Sequence, residues 1–149
     1  MVRIIPLAFV LLLAGCATEG PPTPGTPTTY ETVCDKSNDG KRLSLEGYVD
    51  FPENFKSNEI SIMMRLRPTI ESSAKVVGIG VRLGNGANQV EMPPKAYSPR
   101  DIKLHTADGK VAGFLDKVKV SGTMYTPSSI AKVEFRCGLS NVLVEGIVR

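Results

Sequence analysis

The chain has 149 residues, a formal net charge of +3, one histidine and no tryptophan. That length fits a single domain. So small a charge excess excludes a dedicated nucleic-acid binder, which gathers basic residues on one face.

The first predicted element is an export signal. Arg3 is followed by an apolar run from Ile4 to Leu13. About ten residues are too few to span a bilayer, which takes about 20. A basic start, a short apolar core and small residues at its end mark a secretory signal. The run closes on Leu13-Ala14-Gly15-Cys16, which resembles the lipobox of bacterial lipoproteins. The resemblance implies cleavage before Cys16, a diacylglycerol on its sulfur and a third acyl chain on the new amine. Two or more acyl chains make a stable anchor. The alternative is an ordinary signal peptide in which Cys16 is incidental. Residue 17 is Ala, not Asp. By resemblance to the sorting rule of such lipoproteins, that implies the outer membrane, facing the periplasm, in a cell with two membranes. The expected division is a signal peptide over 1–15, a lipidated linker over 16–33 and a folded domain over 34–149.

The linker is rich in proline and threonine, with four prolines between Gly20 and Thr29. Such a stretch is expected to be an extended, disordered spacer. At about 3.1 Å per residue it would hold the domain some 40–50 Å from the bilayer. Export implies an oxidising compartment, so Cys34 and Cys137 are expected to form a disulfide rather than remain free thiols. Two cysteines and a distant His105 do not make a four-ligand zinc set, and no metal or cofactor is expected.

The domain then reads as strands. Asn38-Asp39-Gly40 is a turn signal. Leu43, Leu45, Val49 and Phe51 alternate with Ser44, Glu46, Tyr48 and Asp50, the period of a half-buried strand. A second strand covers Ile60 to Arg67, with Ile60, Ile62, Met64 and Leu66 inward and Ser61, Met63, Arg65 and Arg67 outward. A third covers Lys75 to Leu83, with Gly78, Gly80 and Arg82 outward. Gln89 to Met92 and Ile102 to Leu104 are short strands, and Ala107 to Lys110 is a turn. Asp116 to Tyr125 alternates again, with Val118, Val120 and Met124 inward. Ala131 to Cys137 follows, with Val133, Phe135 and Cys137 on one side. Gly138 is expected to break it, leaving Val142 to Val148 as the last strand. No stretch has helical periodicity.

Two strands carry a glycine near the middle, where a closed barrel must bend. Gly40-Lys41-Arg42-Leu43-Ser44-Leu45-Glu46-Gly47 and Asp116-Lys117-Val118-Lys119-Val120-Ser121-Gly122 resemble the first and fourth strands of bacterial OB-fold domains. The resemblance covers roughly Lys36 to Ile147. It implies an all-β, five-stranded OB-like barrel with extra short strands; a β-sandwich is the alternative. It departs from the family between Gly84 and Phe114, where a helix often caps the barrel. In such a barrel the first and last strands are expected to lie side by side, bringing Cys34 to Cys137.

No nucleophile–base constellation stands out. His105 sits in a polar turn, and Glu46, Asp50 and Glu53 read as solvated charges. No catalytic residue is expected and the chain does not read as an enzyme. OB barrels commonly bind on the outer face of strands 2 and 3, here Arg65, Arg67 and Arg82 with Met63. Three guanidinium groups gathered there would suit phosphate or carboxylate. The expected function is a lipid-anchored binding or adaptor module of the cell envelope, engaging a protein or an anionic component. The alternative is a purely structural lipoprotein. The membrane is the expected partner through Cys16; nucleic acid is not, because that face lacks stacking aromatics.

Overall fold

A computed structural model of the chain describes residues 20–53, 60–72, 76–128 and 135–147. The lipobox, Cys16 and Val133 lie outside the described residues. Nine strands form among the described residues: β1 (Thr26–Pro27), β2 (Arg42–Asp50), β3 (Ser61–Arg67), β4 (Val76–Leu83), β5 (Gln89–Val90), β6 (Leu104–His105), β7 (Val111–Ala112), β8 (Lys117–Tyr125) and β9 (Phe135–Gly146).

Five of them close a barrel. β2 pairs with β3, β3 with β4, β9 with β8 and β8 with β2, all antiparallel; β4 and β9 close the ring in parallel. This is the OB-like barrel expected from the two glycine-bearing strands. The alternating residues fill it: Leu43, Leu45, Val49, Ile62, Met64, Leu66, Val77, Ile79, Val81, Val118, Val120 and Met124 are all buried. Each strand thus turns one apolar face inward, as period two requires.

Between β4 and β8, where a helix was the family pattern, the chain makes the small β5–β6–β7 sheet outside the ring. Val90, Ile102, Leu104 and Ala112 from this excursion join the barrel's core. Ser98 and Asp101 close a capping box around the single 3-10 turn there, Pro99–Asp101.

Four expectations are corrected. Ile60 precedes β3 and is 82% exposed, so its inward parity means nothing outside the strand. Gly138 does not end a strand. β9 runs through it and bends later, where Asn141 takes a left-handed conformation (φ 48°) and the register against β8 shifts. The described part of the linker is not a free spacer. β1 pairs in parallel with Leu43 and Ser44, and Val33 is fully buried. Extended backbone without internal hydrogen bonds leaves donors and acceptors for a neighbour, and β2 supplies them. Finally, β8 lies between β2 and β9, so the first and last barrel strands are not neighbours. Cys34 and Cys137 are nonetheless bonded, with Cα atoms 5.4 Å apart. The turn from Thr29 to Cys34 makes the crossing, held by Arg136 Nη1 donating to the Tyr30 carbonyl at 3.1 Å.

Candidate ligand face

The three arginines do not gather. Asp50 faces outward on β2, directly opposite Arg65 on β3, with Arg67 two residues along. Its carboxylate accepts from Arg65 Nε and from Arg67 Nε, each at 2.8 Å, and is also paired with Arg67 Nη2. Arg67 Nη1 further donates to the Ser72 carbonyl at 3.3 Å. Folded over by two guanidinium groups, Asp50 is only 2% exposed although it points away from the core. A buried carboxylate requires such partners. Arg65 and Arg67 are therefore engaged in neutralising a residue that read as a solvated charge.

Arg82 stands apart. It lies opposite Ser61 on β3, whereas Arg65 lies opposite Gly78. Four residues of strand separate the two positions, about 13 Å at ~3.3 Å per residue. Arg82 is exposed and forms no ion pair with any described residue.

Near Arg82 is a different arrangement. Gly78 and Gly80 face outward on β4, and Gly78 is in register with Gly138 on β9. Three bare backbone positions form a floor that neighbouring side chains cover. A Cβ on Gly78 would lie 3.0 Å from the Phe135 ring and 3.2 Å from Met63 Sδ. The Tyr125 ring occupies the space that a side chain at residue 138 would take. Burial pushes the Tyr125 hydroxyl above the ordinary tyrosine pKa, so it stays a neutral donor. Beside this covered floor, over Gly80, lies a groove of about 350 Å³, bounded by Ile60, Met63, Tyr125, Leu139 and Arg82. Met63 is 37% exposed at its rim. Sulfur, aromatic and aliphatic surfaces beside one cation suit an apolar group with a single negative charge nearby.

Sequence reasoning thus placed Met63 and Arg82 on this face but missed Tyr125. The outward Gly78 and Gly80 were the available signal. A strand that presents glycines outward leaves room that other side chains fill. His105 lies elsewhere, with Nε2 2.8 Å from Glu91 Oε1 on the excursion sheet. Glu46 pairs with Lys117 at 3.0 Å on the surface.

The chain matches no family model, no curated protein and no solved structure.

Proposed function

We propose that this chain is a lipid-anchored, non-enzymatic binding or adaptor module of the cell envelope, held by acyl chains on Cys16. The groove over Gly80, between Ile60, Met63, Tyr125 and Arg82, is the observation that carries the binding role. It offers a shaped apolar surface with a cation at its edge, and this supports a protein or an anionic envelope component as the thing bound. The lipobox resemblance at Leu13-Ala14-Gly15-Cys16 supports the anchor. The Cys34–Cys137 bond supports an exported, oxidising location. Ala17 supports the outer membrane, facing the periplasm, in a cell with two membranes.

A second reading is a structural lipoprotein without a ligand. The engagement of Arg65 and Arg67 by Asp50 favours it, because the most obvious anion-binding groups are already satisfied.

The anchor is tested by Cys16→Ser. The wild-type protein is expected to label with palmitate, float with membranes and band with outer membranes on a density gradient. Cys16→Ser is expected to lose the label and the flotation. Labelling that survives the substitution sinks the anchor, and banding wholly with inner membranes sinks the leaflet assignment.

A further inference from the structure

The position of Gly20 constrains how the barrel can sit on a membrane. Gly20, Pro21 and Pro22 line a recess together with Arg82 and Asn141. Arg82 and Asn141 also line the Ile60–Met63 groove. The chain therefore reaches its first described residue one shared wall away from the groove. It is fixed there: Arg42 Nε donates to the Thr23 carbonyl at 2.6 Å, and Arg42 Nη1 to the Asn141 carbonyl at 2.9 Å. The β1–β2 pairing fixes the next residues.

Only four peptide units separate Gly20 from Cys16. Fully extended, they span at most about 14 Å at ~3.3–3.6 Å per residue. An acylated Cys16 has its backbone at the headgroup layer. The pole of the barrel that carries Gly20 must then lie against the bilayer, instead of standing 40–50 Å away on a spacer.

We infer that the Ile60–Met63–Arg82 groove is a bilayer-contact face, with phospholipid phosphate at Arg82 and the lipid interface at Ile60 and Met63. This rests on the acylation of Cys16 proposed above and names the anionic envelope component as the membrane surface itself. The side chains fit that occupant. Ile60 is 82% exposed and Met63 37%. Exposed apolar residues beside a cation are the composition that binds membrane interfaces, where anionic lipids attract the charge. The other end of β9 differs. Around Gly146 the surface carries the Lys110–Asp108 ion pair, and the chain there is six residues from Ser140, about 20 Å along the strand.

The absence of tryptophan provides the test. Ile60→Trp places a single reporter on the groove, and Val111→Trp places one near the Gly146 end, where Val111 is 53% exposed. Neither substitution disturbs the core. The full lipidated protein is reconstituted into phosphatidylcholine–phosphatidylglycerol vesicles, with and without dibrominated acyl chains. The Ile60→Trp emission is expected to shift to the blue and to be quenched several-fold more than that of Val111→Trp. Adding Arg82→Glu is expected to weaken that quenching in anionic vesicles and to do so less in neutral ones. Equal quenching of the two reporters, or an unquenched Ile60→Trp in protein that still floats with the vesicles, overturns the contact face and leaves the anchor standing. Protein that fails to float overturns the anchor, and the contact face with it. A photo-crosslinker at Met63 in intact cells is expected to capture phospholipid; capture of a polypeptide instead overturns the lipid occupant in favour of a protein.

Discussion

At the scale of single residues, Asp50 matters more than its neighbours. Its two guanidinium partners are a quarter to a third exposed while it is buried, so removing it strands charge that water only partly reaches. Asp50→Ala is expected to cost about 3 kcal/mol, the lower end for a broken buried pair because the arginines keep some solvent. Urea unfolding measures it; a loss within error of zero shows that the cluster is ornamental. Gly47 is a second such point. The Tyr30 phenol fills the place of its side chain, and a Cβ there would also lie 2.7 Å from the Arg67 carbonyl oxygen. Gly47→Ala is expected to destabilise by about 1–3 kcal/mol through overpacking. The Tyr30 hydroxyl is buried without a hydrogen-bond partner among the described residues, and burial pushes its pKa well up. Tyr30→Phe is therefore expected to be at least as stable as wild type. The same change should recover part of the Gly47→Ala loss, since it removes the atom that clashes. Strict additivity in a double-mutant cycle would show that the two residues do not meet.

At the scale of elements, the turn between β6 and β7 holds the end of β9. The Asp108 carboxylate accepts from the Gly146 amide at 3.0 Å, pairs with Lys110 Nζ at 2.7 Å and accepts from the Thr106 hydroxyl at 2.6 Å. The Ala107 amide donates a further hydrogen bond to the Val144 carbonyl at 2.7 Å. The Gly146 amide first, then Lys110 and Thr106, hold the Asp108 pKa well below the usual carboxylate range. A carboxyl depressed on folding stabilises above its unfolded value and loses that contribution as pH falls through the folded value. Asp101 is also depressed, by the Ser98 amide and hydroxyl. Thermal melts are expected to drop below about pH 4, where unfolded carboxyls take up protons. Asp108→Asn is expected to melt lower at neutral pH and to fall less steeply in acid. Parallel pH curves for the two proteins would remove the clamp. The signal for this turn was plain in Ala107-Asp108-Gly109-Lys110, but its target was not. Nothing local says which strand end a turn will meet.

At the scale of the molecule, the disulfide ties the N-terminal segment to the last strand across 103 positions. Closing a loop of that length removes much unfolded-state freedom, and replacing both cysteines by Ser is expected to cost about 2–5 kcal/mol. The barrel has its own apolar core, so the variant is expected to fold. Melts with and without reductant measure the loss, and a thiol count on the denatured, unreduced protein checks the bond. Coincident melts, or two free thiols, would show that the staple is absent. The same tie also bears on the proposed membrane contact. With β1 paired and the turn to Cys34 bonded to β9, an acyl anchor on Cys16, as proposed, would act through a short tether on one pole of the barrel.

The sequence by itself determined the inward faces of the long strands and pointed to a barrel. Alternation at period two and glycines at the bends are local signals, and each buried face had to find another. It also indicated the cysteine pair and Met63 and Arg82 as outward residues. Only the tertiary structure decided what the outward residues do. Arg65 and Arg67 lie in the same alternating register as Met63, yet they meet Asp50 because β2 pairs with β3 at that position. Tyr125 reaches the groove, and Phe135 covers Gly78 beside it, because β9 runs between β4 and β8, setting Gly138 beside Gly78 and under the Tyr125 ring. The proline-rich segment reads as a spacer in isolation because it has few apolar groups of its own. It packs because β2 offers an open row of backbone donors and acceptors. A strand's exposed edge is a property of pairing order, and pairing order is settled by contacts between residues far apart in the chain.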